Sequence, residues 1–278
     1  MHRIAGTILL FLNSGAAQTA SPQFEVASIK PAPPPGTGRM RIGSRGGPGT
    51  EDPSLFTCEN CGLNGLIFQA FGIKDYQLSA ADWMQSARFN VSAKIPEGTT
   101  KDQFHMMMRN LLIDRFKLKF HYEKKQMQAY DLVVAKNGPK LKESEGSPDP
   151  DESLKREPGG PKIDAEGFPI LPHGRVPMAI MLGSGHVATR HVEETMERLA
   201  ATLSAQVHHP VSDVTGLSGK YDFTLNYIAD SAAPSTTDDT GPNIFTALQE
   251  QLGLKLESKK NIVDVLVIDH IEKTPTEN

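Results

Sequence analysis

Cys58 and Cys61 are the two cysteines of the chain, and they stand as Cys-x-x-Cys directly before an expected helix. A helix amino terminus lowers a thiol's pKa, so this placement can support thiol–disulfide exchange. Against that chemistry, the intervening residues are Glu59 and Asn60, and a neighbouring carboxylate raises a thiol's pKa. The strand–helix–strand order that surrounds such a pair in thioredoxins is also missing. In an oxidising compartment an isolated pair of this kind closes a short structural disulfide. A Cys58–Cys61 disulfide is therefore the expectation; free thiols, a metal or redox catalysis are the other uses.

The nine histidines offer no zinc spacing such as His-x-x-x-His. His186 and His191 fall in a strand-to-helix connection and read as solvated or capping residues. His208-His209, His121 and His270 complete no ligand set. Asp213-Val214-Thr215-Gly216-Leu217-Ser218-Gly219-Lys220-Tyr221-Asp222 gathers polar groups around a tight turn. Asp213, Thr215, Lys220 and Asp222 are the candidate ligand contacts there, although Asx and glycine turn chemistry accounts for the same residues. Gly183-Ser184-Gly185 is a glycine turn, since no helix starts immediately after it as a nucleophile elbow requires. No phosphate-binding loop occurs. No cofactor and no catalytic residue are expected from these patterns.

The elements that would position such groups read as an α+β chain. Phe24 to Lys30 alternates apolar and polar residues and stops at Pro31, an opening strand. Leu63, Leu66, Ile67 and Ala70 share one helix face, and Gly72 offers a left-handed cap. Strands are expected at 76–80 and 88–95. Pro96 breaks the chain, and Thr99 or Thr100 can cap a helix whose Phe104, Met107, Met108, Leu111 and Leu112 form a core stripe. Residues 118–124 and 129–135 read as a closing hairpin. Residues 137–177, rich in Lys, Glu, Asp, Pro and Gly, read as a flexible connector. Strand structure over 178–189, a helix at 193–206, strands at 211–214 and 220–227, a helix at 243–252 and strands at 254–258 and 262–270 follow.

These elements repeat. Leu112, Phe116, Leu118 and Phe120 correspond to Leu248, Leu252, Leu254 and Leu256 at one offset. Arg88-Phe89-Asn90-Val91 matches Lys220-Tyr221-Asp222-Phe223, and Asp131-Leu132-Val133-Val134 matches Val265-Leu266-Val267-Ile268. The expectation is two similar units of helix-strand-strand-helix-strand-strand order, with antiparallel or mixed sheets covered by helices around separate or shared cores. The boundaries are a signal peptide at 1–17, a first unit at 18–136, the connector at 137–177, a second unit at 178–273 and a tail at 274–278.

The signal rests on a basic start (His2, Arg3), an apolar run from Ile4 to Leu12 and small residues from Ser14 to Ala17. That run is about half the roughly twenty residues a membrane span needs. The mature chain is expected to carry no membrane span and to be exported, periplasmic or extracellular. A net charge of -4 and the lack of basic runs argue against nucleic acid as a partner.

Phe24-Glu25-Val26-Ala27-Ser28-Ile29-Lys30-Pro31, the stretch from Tyr76-Gln77-Leu78-Ser79 through Trp83 to Arg88-Phe89, Leu112-Ile113-Asp114-Arg115-Phe116-Lys117-Leu118, and Thr215-Gly216-Leu217-Ser218-Gly219-Lys220-Tyr221-Asp222-Phe223 resemble the signature blocks of a family of exported, uncharacterised proteins multiplied in soil bacteria. Leu252-Gly253-Leu254-Lys255-Leu256-Glu257 and Val265-Leu266-Val267-Ile268-Asp269-His270 fit the same pattern. The likeness spans nearly the whole mature chain and implies a domain of unknown function. Similar domains joined to membrane-embedded sensor peptidases of the antibiotic-responsive type imply an extracytoplasmic sensing or interaction role. The family brings no catalytic residues. A pattern-level likeness to the short amino-terminal domains of secretins and TonB-dependent receptors implies periplasmic contact modules. The expectation is an extracytoplasmic, non-catalytic module for an unknown protein or envelope ligand. The alternative is an enzyme, either a thiol oxidoreductase using Cys58 and Cys61 or a hydrolase assembled from distant positions.

Overall fold

The computed structural model describes residues 21–33, 42–145, 178–181, 185–229 and 241–276. The expected signal peptide and most of the expected connector lie outside the described residues. Described strands are β1 (Val26–Pro31), β2 (Gly43–Gly46), β3 (Leu55–Gly62), β4 (Leu78–Ser79), β5 (Arg88–Lys94), β6 (Lys119–Val134), β7 (Lys142–Glu143), β8 (Met178–Met181), β9 (His186–Glu194), β10 (Val211–Asp213), β11 (Tyr221–Ile228) and β12 (Leu254–His270). Described helices are α1 (Leu63–Phe71), α2 (Trp83–Ser86), α3 (Lys101–Phe116), α4 (Met196–Val207) and α5 (Ile244–Ala247), the last continued by a π-helical turn at Leu248–Leu252. The class is α+β, with antiparallel and mixed sheets.

Local sequence accounts for the helix ends. Gly62 leads into α1 in an extended conformation, and Gly72 ends it at φ 64°. Thr100 caps α3 by accepting from the Gln103 N–H, while the Gln103 side chain returns a contact to the Thr100 N–H, a capping box. Thr195 does the same service for α4 by accepting from the Arg198 N–H at 3.2 Å. Gly253 stops the π turn at φ 65°, where a Cβ would lie 2.2 Å from the Gly138 carbonyl oxygen, so no other residue fits without moving the backbone.

The chain forms two compact units. The first takes residues up to 73, 80–120 and 268–278. Its sheet has the order β1-β5-β3-β2, antiparallel throughout. Phe104 of α3 meets Phe56 edge-on at 5.1 Å, and Phe116 meets Phe89 at 4.9 Å, so the expected α3 stripe lies on the sheet as core. The second unit takes 74–79 and 121–267. One of its sheets has the order β7-β11-β9-β8; the other runs β10-β6-β12-β4, with β10 parallel to β6 and β4 parallel to β12. Its core joins Met196, Leu199, Leu203, Tyr227, Leu248, Leu252 and Leu254.

Two expectations need correction. The closing hairpin expected at 118–135 is one continuous strand, β6, and the two strands expected at 254–258 and 262–270 are likewise one, β12, because neither 125–128 nor 259–261 supplies the glycine that a reversal of direction favours. Part of the span expected as a connector from residue 137 is also structured. Lys142 and Glu143 form β7 on β11, and Leu141 packs against the core, since main-chain pairing at a sheet edge needs little apolar surface of its own.

Candidate functional site

β9 carries Val187, Thr189 and His191 on one face by strand alternation, and all are buried. Alternation would then send Glu194 to the other face. It does not, because the register with β11 slips: His191 lies opposite Phe223, and Glu194 opposite Tyr221. One extra residue is absorbed on β9, with Glu193 at φ 49°. The Asp222 carboxylate holds this conformation by accepting from the Glu193 N–H at 2.7 Å. Lys220 Nζ stands 3.8 Å from the Glu193 carboxylate.

The bulge therefore returns Glu194 to the side of His191. The Glu194 Oε2 lies 3.4 Å from His191 Nδ1, and His191 Nε2 lies 3.2 Å from the Thr189 hydroxyl oxygen. The imidazole stacks on the Phe223 ring, with centroids 4.4 Å apart and planes 16° from parallel. Arg198, in the first turn of α4, brings its Nε to 3.6 Å from Glu194 Oε1, an ion-pair distance beyond hydrogen-bond reach, and that oxygen has no hydrogen-bond partner. A hydroxyl, an imidazole and a carboxylate in sequence are the parts of an activated nucleophile. Here they lack access. Thr189, His191 and Glu194 are 8%, 2% and 1% exposed, and the Thr189 hydroxyl donates to the Leu225 carbonyl at 3.3 Å. The three form an internal polar latch between β9 and the start of α4.

This corrects the reading of His191 as a solvated or capping residue. The available signal was His-x-x-Glu immediately before a threonine cap; the bulge that makes it a contact pair carries no residue-type signature at Glu193.

Cys58 and Cys61 form a disulfide within β3, with Cα atoms 5.9 Å apart. Cys58 is buried and Cys61 half-buried. A thiol that starts exchange has to be reached by its partner, so the burial of Cys58 suits a staple. β3 slips against β5 between these two residues. Asn60 sits at φ 51°, and its N–H donates to the Asn90 side-chain oxygen at 2.8 Å.

The four candidate turn residues fall into two local devices. Asp213 accepts from the Thr215 N–H at 2.9 Å and from its hydroxyl at 2.8 Å, and the Thr215 oxygen accepts from the Leu217 N–H at 3.1 Å. Lys220 and Asp222 serve the Glu193 bulge instead.

A cleft of about 290 Å³ lies in the first unit, which no sequence pattern indicated. One wall is the approach to β1 and its first residues, Gln23 to Ala27; the other is α3, through Met107, Asn110, Leu111, Asp114 and Arg115. The Asn110 amide donates to the Pro22 carbonyl at 2.8 Å and so ties the strand's approach to the helix. Val26 is 63% exposed, and β1 is an edge strand of its sheet among the described residues.

Among the described residues no group of three or more His, Cys, Asp or Glu side chains could hold a metal ion, and no helix is long and apolar enough to cross a membrane. Residues 64–271 match the family model described as a protein of unknown function (DUF3738). No curated protein and no solved structure matches the chain.

Proposed function

The chain belongs to the DUF3738 family, and from that premise we propose that it is an exported, non-catalytic binding module that receives an extended polypeptide segment in the cleft of its first unit. The cleft carries the reading. Its first wall runs into β1 at Val26, the start of an edge strand, where alternate N–H and C=O groups face outward and can accept another strand. Its helix wall combines apolar Met107 and Leu111 with a carboxamide, a carboxylate and a guanidinium. A volume of about 290 Å³ is small for a cofactor site and suits one or two side chains of a segment lying along the strand. The Cys58–Cys61 disulfide fits an oxidising compartment. The amino-terminal sequence supports export, and the likeness to sensing and contact modules agrees with a protein partner.

Phage display of random peptides against the mature chain tests the site. Enriched peptides are expected to lose affinity about tenfold, the effect of one good contact, in Val26→Asp and in Asp114→Arg, two exposed positions where folding is preserved. Enriched peptides that bind both variants unchanged, or a failure to enrich any, refutes it. Amino-terminal sequencing tests the address: the exported product is expected to start near Gln18, and intact protein starting at Met1 in the cytoplasm refutes export.

A further inference from the structure

We propose that the chain builds one strand–bulge–helix closure twice, and that His191 and Glu194 are the second copy's counterpart of the Cys58–Cys61 disulfide. The correspondence runs residue by residue at one constant spacing: Cys58 to His191, Asn60 to Glu193, Cys61 to Glu194. It continues into the helices, where Leu63, Leu66, Ile67 and Ala70 correspond to Met196, Leu199, Ala200 and Leu203, all buried.

Alternating apolar residues could imitate the helix faces by chance. They would not reproduce the backbone. Asn60 and Glu193 are both left-handed, at φ 51° and 49°. Each donates its N–H to a side-chain oxygen on the partner strand, Asn90 at 2.8 Å and Asp222 at 2.7 Å. The ladder slips at both places. The remaining left-handed non-glycine residues also find left-handed counterparts, Lys117 in Gly253 and His208 in Gly72. Strand pairing is reciprocal at the level of elements as well, since β4 lies parallel to β12 and β10 parallel to β6.

The shared geometry assigns a role to the cysteines. A bulge with its middle residue left-handed brings positions i and i+3 to one side of the strand just before a helix starts. Whatever joins those positions fixes the angle at which the helix leaves the sheet. In the first copy the join is covalent, and in the second it is an imidazole facing a carboxylate. Since the second copy makes this closure without sulfur, Cys-x-x-Cys here acts as a clasp, and dithiol chemistry is not its task. This inference is independent of the cleft.

The test is His191→Cys/Glu194→Cys in the full mature chain, refolded with oxidised glutathione, which takes up the two electrons and two protons released per disulfide. Thiol labelling under denaturing conditions is expected to find no free thiol before reduction, with peptide mapping linking the two new positions to each other. Two labelled thiols in a folded chain that keeps its Cys58–Cys61 bond overturns the proposal. Asn60→Gly and Glu193→Gly decide the matter if the double variant does not fold. Both are expected to leave Tm unchanged or raised, since glycine favours left-handed backbone. A fall of more than about 5 °C in Glu193→Gly alone, more than 1 kcal/mol on the scale of this chain, overturns it.

Discussion

Replacing His191 by alanine should destabilise the second unit more than replacing His191 and Glu194 together. The wild-type pair is closed from water, with Glu194 1% exposed. Removing the imidazole takes away the Nδ1 contact at 3.4 Å and leaves the carboxylate facing Arg198 alone, 3.6 Å from Oε1 and itself half-exposed. Breaking a buried pair by deleting one member costs about 3–5 kcal/mol, because the other charge stays buried without its partner. Arg198 is hydrated and offsets part of this, so the low end, about 3 kcal/mol, is expected for His191→Ala. His191→Ala/Glu194→Ala removes both the buried charge and its partner. It leaves a cavity beside Phe223 and should cost about 2 kcal/mol.

Urea unfolding followed by the fluorescence of the tyrosines around the β9–β11 pair, supported by thermal melts, measures both variants. A loss of about 3 kcal/mol corresponds to a Tm decrease of about 6–12 °C in a domain of this size. A single variant within about 0.5 kcal/mol of wild type, or a double variant that loses the sum of the two single losses, refutes the closed latch. Either result would mean that Glu194 is solvated and that the latch is not closed.

Leu112→Ala and Leu248→Ala should each cost about 2–5 kcal/mol in the same unfolding assay, since both side chains are fully buried on a helix that packs against a sheet. Cys58→Ser/Cys61→Ser should cost about 2 kcal/mol or less because the closed loop is so short, and an insulin-reduction assay should find no catalysed turnover in the wild type for the variant to lose. Burial pushes the Tyr227 phenol above its ordinary 10.0. The native state therefore holds this proton where the unfolded chain has released it, so stability should be intact below pH 10 and fall as pH rises beyond it. Tyr227→Phe should flatten that alkaline limb in a pH series of thermal melts.

Residues with a strict backbone or capping preference made their parts of the fold legible. Gly72, Pro96 and Thr100 mark the bounds of α1 and α3, and the stripe from Phe104 to Phe116 is buried where its period puts it. The length of β6 was hidden because Glu123 to Gln128 is polar but for Met127, and such a stretch in a sheet reads like a loop when its pairing partner lies far along the chain. The site was harder still. His191 alternates like any strand residue, and its contact with Glu194 depends on a left-handed glutamate that nothing in the residue types announces. The cleft joins Gln23–Ala27 to positions eighty or more residues later, a proximity that only packing creates.

The pairing of β4 with β12 bears on the time the chain needs to fold. Leu78 is synthesised well before its partner Leu266, which lies 188 residues further along the chain. Until the carboxyl-terminal strand arrives, the segment Lys74–Ser79 has no parallel neighbour for its main-chain groups and waits with an open edge. Contacts so distant along the chain slow the search for the native state. A chain threaded across a membrane from its amino terminus would therefore hold the whole stretch between Ser79 and Leu266 outside before β4 could pair with β12. Premature truncation before Leu266 should yield material that is bound by chaperones or degraded, even though every residue of the cleft is already present.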